Sequence, residues 1–301
     1  MINIEKKNEL NGHIAPIYAL CADEKNFIYS GGVDRQVIRW DIEDLDNSKI
    51  ITKSSEAIYS LFHYADNNLL FVGTSTGKIH VVDINQKKEI KLLKNHTDKI
   101  FDFKLFGSNL IAVSADGSIS FTNLNNLKTE QILNISNGRI RSIDIKDNIA
   151  AIACGNSNIV MIDLINKTIL KSFMAHTKSC NVVRFHPTDN LLLSGGWDAH
   201  LNIWNEDYEK QTSIPAHNYA IYSIAFSPDN KLFATGSRDK TIKIWDAINP
   251  ESPKSITYEN LGGHQFSVNR LIWNQKNDVL ISASDDKKIM IWSIDHELKL
   301  K

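Results

Sequence analysis

The chain has 301 residues, a formal net charge of -1 at pH 7, 42% hydrophobic and 23% charged residues, an ordinary globular composition. No apolar stretch reaches the roughly 20 residues of a membrane helix, the start MINIEKKNEL lacks the apolar segment of a secretory signal, and the balanced charge offers neither a basic nor an acidic tail. Three cysteines (Cys21, Cys154, Cys180) are too few and too scattered for a disulfide framework or a zinc site, so a reducing cytoplasm is the expected compartment.

In chain order, residues 1–41 run from INIEKKNELNG through a turn at His13 to YSGGVDRQVIRWD, ending at Trp40-Asp41. The same frame then returns. A second copy (42–83) closes in FVGTSTGKIHVVD, a third (84–123) turns at His96 and contains AVSADGSISFTN, and a fourth (124–163) contains IACGNSNIVMID. These three are degraded. The fifth (164–205) turns at His176 and contains LSGGWDAHLNIWN. The sixth (206–246) is the clearest, AHNYAIYSIAFSPDNKLFATGSRDKTIKIWD, and the seventh (247–295) turns at His264 and contains ISASDDKKIMIWS. The closing position falls at Trp40, Val82, Thr122, Ile162, Trp204, Trp245 and Trp292, in steps of 40 to 42 and one of 47 that holds the insertion INPESPKSIT.

Within the unit, Tyr222, Ile224 and Phe226 alternate with Ser223 and Ala225, and Ile242 and Ile244 with Thr241 and Lys243. Period two between Gly/Asn/Asp turns marks strands. Four strands at this repeat length are the signature of propeller blades. The chain is therefore expected to be one all-β domain, a single seven-bladed β-propeller of four-stranded antiparallel blades. Outer strands are expected in EIKLLKN, TILKSFMA, KQTSIPA and KSITYENLGG, and weaker ones before Ser54 and Ser136. The seventh is INIEKKNELNG, so the N-terminal strand closes the ring on the last repeat, in preference to the C-terminal HELKLK.

Gly12-His13 to Trp40-Asp41 and SRDKTIKIWD at 237–246 resemble the WD-repeat (WD40) family, and the resemblance covers essentially the whole chain. It implies a buried, hydrogen-bonded tetrad in each strong blade: His13, Ser30, Asp34, Trp40; His176, Ser194, Asp198, Trp204; His217, Thr235, Asp239, Trp245; and His264, Ser282, Asp286, Trp292. The second to fourth copies lack the Trp and carry Thr76, Asp116 and Asn156 at the Asp position; they are expected to be the softer half of the ring. Asp, His and Ser together suggest a hydrolase triad, but four equivalent sets at one frame position, each hydroxyl committed to a Trp, read as scaffold.

The resemblance also implies a partner-binding top face around the channel. Carried over by frame, its inner ring is Tyr18, Tyr59, Phe101, Arg141, Asn181, Tyr222 and Asn269, with Lys99, Arg139, Trp197, Arg238 and Asp285 beside it. Tyr, Trp and Arg are the residue types enriched at binding hot spots, and arginine clusters suit acidic or phosphorylated segments. The expectation is a non-catalytic scaffold, monomeric by itself, that binds a protein or peptide there. The alternative is a propeller enzyme of lactonase or hydrolase type with its site at the channel mouth, against which stands the single acid, Asp285. A near-neutral chain argues against nucleic acid, and no membrane partner, metal or cofactor is indicated. His63, His80, His186, His200 and His296 show no ligand-like spacing; the lysines at 87, 88, 91, 94 and 99 read as a solvated face. Gly31-Gly32 and Gly195-Gly196 read as close blade packing, the cysteines as core thiols, Trp273 as a core residue and Trp197 as a surface one.

Overall fold

Turn residues interrupt the period-two runs so regularly that the described residues fold into 28 strands and one four-residue helix, Tyr258–Leu261, which follows the insertion INPESPKSIT in the last repeat. The computed structural model describes residues 2–24, 27–274 and 278–296. The strands form seven four-stranded antiparallel sheets arranged as a closed ring of blades. The inner strands, blade 1 to blade 7, are Ile17–Ala22, Ile58–Tyr64, Ile100–Phe106, Ile140–Lys146, Cys180–Phe185, Ile221–Phe226 and Val268–Asn274.

Sequence repeat and blade are out of phase by one strand, because each outer strand begins the next repeat. Blade 7 therefore takes its outer strand from the other end of the chain: Ile2–Asn11 pairs antiparallel with Lys288–His296. Lys288 to Glu9 (2.6 Å) and Lys6 to the Gly262 carbonyl (2.8 Å) support this closure. The alternative closing strand at HELKLK extends into 297–301, outside the described residues.

Cores form between neighbouring blades. Second-strand glycines let blades 1, 2, 5 and 6 approach the next blade closely: a Cβ on Gly195 would lie 2.6 Å from Ile221 Cγ2, and one on Gly31 2.7 Å from Ile58 Cγ2. Seven turns between second and third strands each hold one residue at positive φ. It is glycine only at Gly77 and Gly117; Arg35, Ser157, Ala199, Lys240 and Lys287 adopt the same conformation with a side chain.

The degraded blades are fully packed. At the tetrad positions blade 2 places Val72 and Val82, and blade 4 places Ile152 and Ile162, all buried in continuous apolar clusters. Replacement by aliphatics in these two blades leaves no tetrad member unpaired, although His80, opposite Val72, keeps a buried Nε2 with no hydrogen bond, 3.8 Å from Glu56. Trp273, expected in the core, is half-buried and donates its indole N–H to Asp278 in the following turn (2.9 Å), which holds it near the bottom mouth.

Candidate functional site

The tetrads come first because they fix the turns that carry the site. In blade 1 the Trp40 indole N–H donates to Ser30 Oγ (2.7 Å), Ser30 meets His13 Nε2 (2.7 Å) and His13 Nδ1 meets Asp34 (2.7 Å). An indole only donates. The serine oxygen therefore accepts from Trp40; with a neutral imidazole, its own hydrogen goes to Nε2 and the Nδ1–H points at the Asp34 carboxylate. Burial pushes the His13 pKa below its usual 6.5 despite Asp34, consistent with that neutral form. The fifth, sixth and seventh blades repeat the geometry through Ser194, Thr235 and Ser282, with all bonds between 2.7 and 3.0 Å. Each Asp also caps its turn by accepting the backbone N–H after the histidine: Ile14, Thr177, Asn218 and Gln265.

Blade 3 keeps more of this network than its sequence suggests. His96 meets Asp116 (3.2 Å), and its Nε2 meets Ser120 Oγ (2.9 Å). The hydroxyl position on the second strand is Ala112, and Ser120 lies directly opposite it on the third. The hydroxyl has crossed the strand pair, which no frame-based reading detects. Blade 2 substitutes ions: Lys78 pairs with Glu56 (2.5 Å), and hydrogen bonds from Lys78 and Ser55 hold the Glu56 carboxyl down to about 2.

Every inner strand carries a β-bulge directly after its first residue. The residue skipped by the ladder is Tyr18, Tyr59, Phe101, Arg141, Asn181, Tyr222 and Asn269 in turn. A bulge leaves one residue unpaired and re-aims its side chain. Here all seven line one cavity of about 280 Å³ at the channel mouth, with Arg238, Asp285, Ser267 and Arg270. The inner ring read from the sequence is thus a ring of bulge residues.

Its aromatic members form a ladder. Tyr18 stacks on Tyr59 (4.9 Å), Phe101 meets Tyr59 edge-on (5.6 Å), and the Arg141 guanidinium lies over Phe101 (5.1 Å). Lys99 lies over Tyr59 at 5.8 Å and also pairs with Asp98 at 3.3 Å. Opposite, Trp197 meets Tyr222 edge-on (6.3 Å) and Arg238 lies over Trp197 (5.4 Å). Arg139 is exposed beside them. Among the described residues Arg139, Arg141 and Arg238 have no acidic partner, and the Arg141 Nε is buried without a hydrogen bond. Burial and the Arg139 charge lower the Arg141 pKa. Burial and Asp285 push Tyr18 up to about 12, so its phenol remains a neutral donor.

Asn181 and Asn269 line the cavity and also link neighbouring blades. The Asn181 amide donates to the Ile221 carbonyl of the next blade (3.1 Å), and Asn269 donates to Ile17 (2.9 Å) and Asp285 (2.8 Å). They staple inner strands together, and Asn181 is buried. The sequence reading also missed Arg270. It reaches across the channel from blade 7 to Asp102 of blade 3 (2.6 Å), which Arg184 of blade 5 approaches from the other side (3.8 Å). Asp102 is 3% exposed. Arg270 borders the cavities at both mouths, so this layer divides the channel and gives the top cavity a floor.

Among the described residues no cluster of His, Cys, Asp and Glu could hold a metal ion; the side chain of His296 lies outside them. The cysteines are free thiols, Cys154 and Cys180 buried and Cys21 partly so, with burial raising each pKa. No described helix is long and apolar enough to cross a membrane.

A closed ring in which one four-residue network recurs at one place in blade after blade defines a WD-repeat β-propeller. The family described as WD domain, G-beta repeat, matches residues 4–41, 167–205, 208–246 and 255–293, just over half of the chain, and the chain belongs to it. The matched segments are the four repeats that carry complete tetrads. The chain is 31% identical over 168 residues to an uncharacterised WD repeat-containing protein of Saccharomyces cerevisiae, covering 50% of this chain and 43% of that one. It is 30% identical over 131 residues to the WD repeat-containing protein 89 homolog of Dictyostelium discoideum, covering 42% and 36%. The matches span under half the length of either relative. In fold it is similar to the WD40 β-propeller domain of Doa1, with a TM-score of 0.86 at 17% identity over 96% of this chain and 97% of that one.

Proposed function

We propose that the protein is a non-catalytic scaffold that captures an acidic or phosphorylated segment of a protein partner at its top cavity. WD-repeat propellers are typically interaction scaffolds, and the observation that carries the finer reading is the set of guanidiniums at the mouth. Arg141 projects from a bulge into the cavity with a buried, unpartnered Nε, Arg139 stands beside it and Arg238 lines the opposite side, none of them with an acidic partner among the described residues. A guanidinium in that state gains most from a carboxylate or phosphate, through charge-assisted bidentate bonds. The tetrads do not compete as catalytic sites: their histidine side chains are fully buried and each hydroxyl already accepts an indole N–H. The reading takes the protein as a monomer in a reducing cytoplasm.

The test is affinity capture from cell lysate with quantitative mass spectrometry. Wild-type protein is compared with R141E/Y222A, and untreated lysate with phosphatase-treated lysate. Specific partners should be lost with the variant while its thermal midpoint holds. Equal recovery on both proteins contradicts the top-face reading, and recovery indifferent to phosphatase assigns the acidity to Asp and Glu.

A further inference from the structure

The turns that carry the tetrad histidines divide the top face into two sectors of different chemistry. In blades 6, 7 and 1 the two residues after the histidine include Tyr219, Phe266 and Ile14, which are 60%, 56% and 73% exposed. Val33, 38% exposed, and Trp197, 37% exposed, extend this arc over blades 1 and 5 at the position before the tetrad Asp. In blades 2 to 5 the same two turn positions hold Ser55-Glu56, Thr97-Asp98, Asn137-Gly138 and Thr177-Lys178, none of them apolar. Lys99, Arg139 and Arg141 lie on blades 3 and 4, across the cavity from Phe266 and Ile14.

The apolar turns stand beside the cavity: Arg238, which lines it, lies over the Tyr219 ring (6.0 Å), and Ser267, next to Phe266 in sequence, lines it as well. Backbone hydrogen bonds hold these turns in place. The Ser237 hydroxyl donates to the Tyr219 carbonyl (3.1 Å), the Ser284 hydroxyl to Phe266 (3.2 Å), and Val33 N–H to Pro16 (2.9 Å). Each turn is thereby fixed against the tetrad turn of its own blade. Fixed, exposed apolar side chains gathered in one arc mark an interaction surface. Nothing in the fold needs them there, because the equivalent turns of four blades are polar.

From this division we infer that the segment bound at the top face is bipartite, with bulky apolar side chains seated on the arc of Tyr219, Phe266 and Ile14 and acidic or phosphorylated residues reaching Arg139 and Arg141. The inference rests on the top-face reading and adds the apolar half of the ligand. Charge complementarity sets the register: the basic sector orients the acidic end, so the apolar end falls on the opposite blades. A membrane would also offer anionic and apolar groups. It would have to meet a concave mouth that also presents Asp285, and a narrow polypeptide fits that shape better.

The experiment is selection from a random peptide library displayed on phage, with peptides of about twelve residues, which reach about 40 Å when extended. The baits are wild-type protein, I14S/Y219S/F266S, and R139E/R141E. R139E alone serves as a further bait, since Arg141 is half-buried and Arg139 exposed. Wild type should enrich peptides that carry both acidic and bulky apolar residues. The triple variant should lose the apolar preference and keep the acidic one, and the arginine variants should do the reverse. An enriched peptide should bind the triple variant more than about tenfold more weakly, because it loses the apolar surface that its bulky side chains cover. Acidic peptides without apolar preference, or equal affinity for the triple variant, overturn this inference and leave the top-face reading standing. Peptides indifferent to all variants, or no enrichment, overturn both. Phosphatidylserine vesicles that retain wild type and release the triple variant assign the arc to a membrane and overturn the peptide occupant.

Discussion

At the scale of single residues, the tetrads act as directional chains of hydrogen bonds. Trp donates to Ser or Thr, the hydroxyl meets the imidazole Nε2, and the imidazole Nδ1 meets Asp. Removing the middle member strands buried groups on both sides. His264→Ala should therefore lower unfolding stability by about 2 kcal/mol or more, measured by denaturant titration. The pH dependence follows in sign. Burial lowers the His13 and His96 pKa values from 6.5; and although burial opposes it, hydrogen bonds from His176, His217 and His264 hold Asp198, Asp239 and Asp286 below 3.8. In both windows the unfolded chain binds more protons than the folded one, so stability falls as pH falls. The thermal midpoint should begin to drop below about pH 6.5, from His13 and His96, and drop again below about pH 4, from the carboxylates. A midpoint that rises on acidification contradicts this protonation pattern. The sixteen tetrad residues were legible because four intact copies fix the frame. Ser120 was not, since its hydroxyl reaches His96 from the neighbouring strand.

At the scale of elements, the inner-strand bulge builds the site. A frame offset located all seven inner-ring residues, but the bulge that turns them into the mouth has no sequence signature, because Tyr, Phe, Arg and Asn all occupy it. For the same reason the strand-to-strand role of Asn181 and Asn269 was hidden. Blade spacing makes a sharper prediction. Gly195→Ala would push a methyl into Ile221 Cγ2, on the rigid inner strand of the next blade. Overpacking of this kind costs about 1–3 kcal/mol, readable in the thermal midpoint, and an unchanged midpoint would show that the blades can move apart. The sequence led us to expect softer second to fourth blades, because tetrad residues are missing. Their positions are filled by buried Val72, Val82, Ile152 and Ile162. Amide hydrogen exchange should therefore find the second strands of blades 2 and 4 as protected as those of blades 5 and 6. Markedly faster exchange would restore the softer-half expectation.

At the scale of the whole molecule, two links hold the ring. The N-terminal strand on blade 7 was legible from the count of outer strands; the channel-spanning Arg270–Asp102–Arg184 layer was not, since Arg270 and Asp102 lie 168 residues apart. Deleting residues 1–9 should lower the thermal midpoint, and an unchanged midpoint refutes the clasp. Asp102→Asn leaves two arginines facing each other in the channel and should cost about 3–5 kcal/mol, the usual penalty for breaking a buried ion pair. The ring in turn gives the top cavity its rigid, floored shape, and the account stands on that cavity as the place where a partner binds. Site-specific photo-crosslinking tests it most directly. A photoreactive phenylalanine analogue replaces Tyr222 in the cavity or, in a separate protein, Ile169 on the exposed outer strand of blade 4. Partner adducts are expected from position 222 and none from 169; adducts from 169 with none from 222 would place the partner on the outer wall and contradict binding at the top cavity.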